Sequence, residues 1–176
     1  MDSVSETRLQ KIYPRLADLV RKMADTLLQE GIVIRVIQAL RTIAEQDALF
    51  AQGRTKPGKI VTNARGGQSY HNFGLAVDCA PSKFGPDKPY DPDWNEKNPS
   101  WQRMIAVGVS LGLNSGATWR TLKDFPHFQL TGKFPEGSPN AKLRALFDQG
   151  GMQAVWDAVS ADMEAAKPAE KKAVDA

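Results

Sequence analysis

The stretch "SYHNFGLAVDCAP", residues 69–81, changes character at its sixth residue. After Gly74 the run "GLAVDCA" alternates as a half-buried strand does. A glycine is where a chain can reverse tightly. A histidine on the turn before it, His71, can therefore meet an aspartate on the strand after it, Asp78. Only one other histidine exists in the chain, His127 in "LKDFPHFQL", residues 122–130, and it too has an aspartate close by, Asp124.

Working outward, Leu9, Ile12, Leu16, Leu19, Val20, Met23 and Leu27 recur in steps of three and four, which predicts a helix over residues 8–29. Pro14 marks either its first turn or a kink. Gly31 ends it. "IVIRVIQ", residues 32–38, is β-branched and predicts a strand. Thr42 and Glu45 have capping-box spacing, so a helix begins at Thr42 and ends near Gly53. Residues 53–68 read as a basic, glycine-rich loop with a short strand at 60–62. Residues 81–99 hold five prolines and read as a long surface loop. A helix follows with Ser100 as N-cap and Gly112 near its end. "HFQL" predicts a strand, and residues 141–165 a helix broken at Gly150-Gly151. The order predicts an α+β fold, a small antiparallel sheet flanked by helices. Residues 1–166 read as one domain and 167–176 as a disordered tail.

The chain has 176 residues, 41% apolar and 24% charged, with a net charge of +3, an ordinary balance for one globular domain. The single cysteine, Cys79, excludes an intrachain disulfide. No stretch has the roughly 20 apolar residues of a membrane span. The N-terminal run lacks a basic segment followed by an apolar one, so the expectation is synthesis in the cytoplasm without a signal peptide. Arg54, Lys56, Lys59 and Arg65 lack interleaved aromatics, so nucleic acid is not expected as a partner.

Two imidazoles and a carboxylate with an open fourth position form the pattern of a catalytic zinc site. His71, Asp78 and His127 would supply it, and one cysteine cannot supply a thiolate site. Asp124, held across Phe125-Pro126, can stand beside such a metal as a general base. The same residues also have plain structural readings: His71 as a surface residue, Asp78 as a strand-end cap, Asp124-Phe125-Pro126 as a turn.

Ser69, His71, Gly74, Ala76 and Asp78 spell SxHxxGxAxD, and Asp124, Pro126, His127 and Phe128 spell DxPHF. Together they resemble the D-alanyl-D-alanine carboxypeptidase and L-alanyl-D-glutamate endopeptidase family of zinc peptidases, whose fold is shared with lysostaphin and sonic hedgehog. The run over residues 41–67 resembles the branch containing phage endolysins, and the resemblance covers about residues 30–130. It implies Zn2+ held by His71, Asp78 and His127, with Asp124 as base where many members carry glutamate. It implies that Arg41 stabilises an oxyanion or holds a substrate carboxylate, with a surface arginine as the plain alternative. Ser69 matches the motif serine, which can donate to substrate, and Gln46 matches a family glutamine near the site; Trp119 precedes the second motif and can wall the substrate cleft, and each also has a structural reading. Ala117 departs from the pattern, which has a second glycine there.

The resemblance implies a peptidase of bacterial peptidoglycan, monomeric, cutting the L-Ala–D-Glu bond once the membrane has been permeabilised. The alternative bond is D-Ala–D-Ala. A second class is a wall-binding module that keeps the metal but does not catalyse. Asp91, Asp93 and Asn95 have the opening spacing of a calcium loop, but Glu96 stands where its glycine belongs. Cys79 adjoins Asp78 on the strand and so points to the opposite face, as a buried inert thiol would.

Overall fold

A computed structural model describes residues 1–121 and 123–166; the tail expected over 167–176 lies outside the described residues. Two helices come first, α1 (Ser3–Leu9) and α2 (Pro14–Gln29). The sequence periodicity ran them together as one helix. Pro14 instead opens α2 at its first turn, where a missing N–H costs nothing. The apolar stripe continues across the break, because Leu9 and Ile12 are buried with Leu16, Val20, Met23 and Leu27.

Strand β1 (Ile34–Gln38) leads to α3 (Ile43–Ala51), which starts at Thr42 with both capping-box hydrogen bonds formed. A short 3₁₀ turn (Tyr70–Phe73) precedes β2 (Ala76–Pro81). Helix α4 (Pro99–Ser110) is capped by Asn98, whose side chain accepts from Ser100 N, rather than by Ser100 itself. Pro99 is already inside the first turn, which moves the cap one position earlier than Pro. The two-residue β3 (Asn114–Ser115) was not expected from the sequence; β4 (His127–Gln129) was. The strand expected at 60–62 is absent: Ile60 and Val61 are exposed and lie in irregular chain. Helix α5 (Ala141–Ala165) loses helical backbone angles at Gly150 and Gly151, as expected.

The four strands order as β1-β2-β4-β3, all antiparallel. Val77, Cys79 and Phe128 face the core with Val36, against buried Met23 and Leu27 of α2 and Trp101 and Met104 of α4. Strand alternation then sends Asp78, His127 and Gln129 to the other face. Asp78 pairs with His127 across β2–β4 and with Gln38 across β1–β2, just beyond an irregularity after Val36. The fold is the expected α+β one, with one sheet face given to packing and the other to polar chemistry.

Candidate metal centre and active site

His71 stands on the 3₁₀ turn, whose N-cap is Ser69 and whose exit is Gly74 in the left-handed conformation, φ 64°. That glycine turns the chain back so that His71 faces the middle of β2. His71 Nε2 lies 3.2 Å from Asp78 Oδ1, and His127 Nδ1 lies 3.3 Å from the same oxygen. Both histidines are buried and their rings meet edge to face, centroids 5.2 Å apart.

The outer nitrogen of each ring is held. His71 Nδ1 donates to Ala39 O at 2.8 Å, since a carbonyl can only accept. His127 Nε2 lies 2.8 Å from Gln129 Oε1, and Gln129 Nε2 donates to Glu136 O at 2.7 Å. The second bond orients the amide, so its oxygen faces His127 and the ring donates. That leaves His71 Nε2 and His127 Nδ1 as the nitrogens facing Asp78, where each can donate to its carboxylate when protonated or offer a lone pair to a metal when neutral. Fixing the far nitrogen in this way is how metal-ligating histidines are oriented. The three ligand atoms lie within 4.8 Å of one another, and among the described residues no other group of His, Cys, Asp or Glu is so placed. Two nitrogens and one carboxylate oxygen are a donor set that fits a zinc-type ion.

Electrostatics agree with the geometry. Burial works against the Asp78 charge, but the two imidazoles outweigh it and hold its carboxyl far below the usual range. Burial likewise opposes a charged His127, yet hydrogen bonds to Asp78 and Gln129 raise its pKa. Asp124 is half-buried and shifted upward, first by burial and then by the Asp78 charge, with His127, His71 and Arg41 partly offsetting. Its position comes from a tight turn: Asp124 N donates to Gly116 O and Asp124 O accepts from His127 N. A Cβ on Gly116 would stand 2.5 Å from Asp124 O and 3.1 Å from His127 Cβ, so only glycine fits beneath that turn.

His71, Asp78, Asp124 and His127 line one cleft of about 430 Å³ with Arg41, Ser69 and Trp119. Arg41 lies between β1 and α3 rather than at the strand's end. Its N–H donates to His71 O, its carbonyl accepts from Asn72, and its Nη1 donates to Gln46 Oε1 at 2.8 Å. Trp119 donates to Asn114 and sets its ring 5.1 Å from that of His127. Ser69 Oγ accepts from His71 N, so the hydroxyl shapes the turn as well as lining the cleft. Gln46 is fully buried and is not among the residues lining the cleft; it holds Arg41 on one side and Ala64 O on the other. Cys79 is buried on the core face, and burial with the Asp78 charge pushes its thiol upward. Asp93 of the calcium-like loop bonds Asn95 N and Asn98 Nδ2 and serves as a turn.

Two residues escaped the sequence reading. Gln129 was legible by strand alternation, two positions from His127 on the same face. Asn72 closes a capping box with Ser69 and accepts from Gly67 N, and the Ser69-Asn72 spacing was the local signal for it; its clamp on Arg41 O, 31 residues away, had none.

Comparison with known proteins agrees with this geometry. A family model described as D-alanyl-D-alanine carboxypeptidase matches residues 62–130, which contain all three cluster residues and Asp124. Over 123 residues the chain is 40% identical to the peptidoglycan L-alanyl-D-glutamate endopeptidase CwlK of Bacillus subtilis (strain 168), covering 65% of this chain and 73% of that protein. The chain belongs to this peptidase family. The crystal structure of the Serratia marcescens L-Ala D-Glu endopeptidase ChiX aligns with a TM-score of 0.51 at 24% identity, over 74% of this chain and 89% of that one; this likeness shows the fold. Members of the family are metallopeptidases, and His71, Asp78 and His127 are the group in this member that could hold the metal.

Proposed function

We propose that the chain is a zinc peptidase that hydrolyses the L-alanyl–D-glutamate bond in the stem peptides of bacterial peptidoglycan, with residues 1–166 acting as one catalytic domain. The reading is carried by Asp124. It is a half-buried carboxylate with a raised pKa, it lines the cleft of the His71–Asp78–His127 cluster, and it is not one of the three ligands. A metal held only for structure or for wall attachment has no use for a base there, which disfavours the binding-module reading.

His71, Asp78 and His127 would hold the ion, which supplies Lewis acidity and a nucleophilic water near neutral pH when bound. Asp124 takes the proton of the attacking water at a carboxylate oxygen and returns it to the leaving amine. Arg41, pinned by Gln46, Asn72 and His71 O, presents its guanidinium to the developing oxyanion or to a substrate carboxylate. Trp119 walls the cleft beside His127 and limits water.

The choice of bond is supported by CwlK, the curated relative. The family model's description favours a second reading, release of terminal D-alanine. Two soluble peptides separate them, one ending in D-Ala–D-Ala and one containing L-Ala–D-Glu followed by a blocked C-terminus. Cleavage of the second alone supports the endopeptidase; release of D-alanine from the first alone replaces it with the carboxypeptidase.

A further inference from the structure

Helix α3 is bare for its composition. Of the residues Ile43–Ala51 only Gln46 is buried, while Ile43, Ala44 and Ala48 are exposed. A helix this short ordinarily relies on packing an apolar face. Here one face instead borders a groove of about 380 Å³, lined by Gln38, Arg41, Glu45, Ala48, Leu49 and Gln52. Arg41 also lines the catalytic cleft, so cleft and groove meet at its side chain.

We infer that this groove is a subsite for the stem peptide on one side of the scissile bond; the inference rests on the peptidase reading above. An endopeptidase substrate continues on both sides of the bond and must leave the cleft over its rim. The nine residues of α3 run about 14 Å at a helical rise of about 1.5 Å per residue. An extended peptide rises about 3.3 Å per residue, so roughly four residues match it. The lining suits the chemistry of a stem peptide. Ala48 and Leu49 give an apolar floor for alanine methyls. Gln38 and Gln52 bring amides for an extended backbone. Glu45 brings a carboxylate, one oxygen of which accepts from Thr42 N, that faces the ammonium of a diamino acid.

The test compares Ala48→Arg, which fills the groove, with Ala44→Arg, the same change on α3 outside it. Both positions are exposed, and arginine is a good helix former. Each metal-loaded variant is assayed on a blocked L-Ala–D-Glu dipeptide and on the full stem peptide. The groove predicts that Ala48→Arg lowers kcat/KM on the stem peptide by about tenfold or more, with the dipeptide rate unchanged and Ala44→Arg like wild type on both. An undiminished stem-peptide rate for Ala48→Arg, or an equal fall on both substrates, overturns the assignment. Stem peptide is also titrated onto the metal-loaded protein carrying Asp124→Asn, to suppress turnover, with the α3 amide resonances followed by NMR. Shifts in α3 that Ala48→Arg abolishes support the groove even if the wild type cleaves neither peptide, an outcome that would sink the peptidase reading alone. An α3 that does not respond overturns the groove.

Discussion

Asp78 and His127 face each other directly across the β2–β4 register, with His127 Nδ1 3.3 Å from Asp78 Oδ1. Antiparallel pairing thus makes a candidate ligand pair from residues 49 positions apart, and the turn at Gly74 brings His71 onto the same oxygen. Because the ligand atoms sit on strands and a capped turn, the geometry is set by backbone pairing. The roles of the residues around it can be tested one at a time.

Asp124→Asn keeps the side chain's size and removes its basicity. Activity on a stem peptide should fall by about 10²- to 10⁴-fold with metal content and melting temperature little changed. Metal analysis of the purified variant, alongside its rate, checks this. Equal activity with full metal would remove Asp124 from the role of base.

The pH profile carries the same signature. Burial and the Asp78 charge raise the Asp124 pKa above its ordinary 3.8. A cation bound by the cluster acts on Asp124 in the opposite sense. The base works only when ionised, so kcat/KM should show an acid limb, and that limb should vanish from the residual activity of Asp124→Asn.

Gln129 orients His127 through one hydrogen bond and is itself oriented by Glu136 O. Gln129→Leu should weaken metal binding by about 10- to 100-fold, measured by competition with a chromophoric chelator. Gln129→Glu keeps an acceptor toward His127 and should restore most of the affinity. If leucine binds metal as tightly as glutamine, the hydrogen bond does not orient the ligand.

Stability without metal should have its own pH window. His127 is raised above its ordinary 6.5 in the folded protein, so its contribution is complete below about that pH and is lost as pH rises through the folded value. Asp78 is depressed, so its contribution is present above its ordinary 3.8 and is lost only as pH falls through its folded value. Chelated protein should melt highest between those two limits and lower at pH 8. Metal-loaded protein should show the opposite trend across neutrality, because ligation competes with protons. Thermal melts with and without chelator measure both.

Gly116→Ala places a methyl against Asp124 O, and the turn carrying the proposed base must move. A displacement near 1 Å can cost about 10²-fold in rate. The expected result is a large loss in kcat with metal still bound. A variant with wild-type kcat would show that the turn has room the geometry does not allow.

Much of this site was legible in the sequence because its key residues lie in two short, spaced motifs. His71, Gly74 and Asp78 announce a turn entering a strand, and Asp124 to His127 announce a proline-stiffened turn entering another. What stayed hidden depends on tertiary packing. Nothing local in the sequence says that Gln46 is fully buried and hydrogen-bonded to Arg41. Strand β3 is two residues long, too short for any alternation to show, and exists because β4 offers it an edge. The break between α1 and α2 was masked by an apolar stripe that packs continuously although the backbone does not.

The central claim is metal-dependent cleavage between L-alanine and D-glutamate. Its most direct test is a digest of purified peptidoglycan with the protein as prepared, after chelation, and after addition of zinc, followed by mass spectrometry of the new termini. The account predicts new D-glutamate amino termini that disappear on chelation and return with zinc. New termini at another bond, or undiminished cleavage after the metal is stripped, would contradict it.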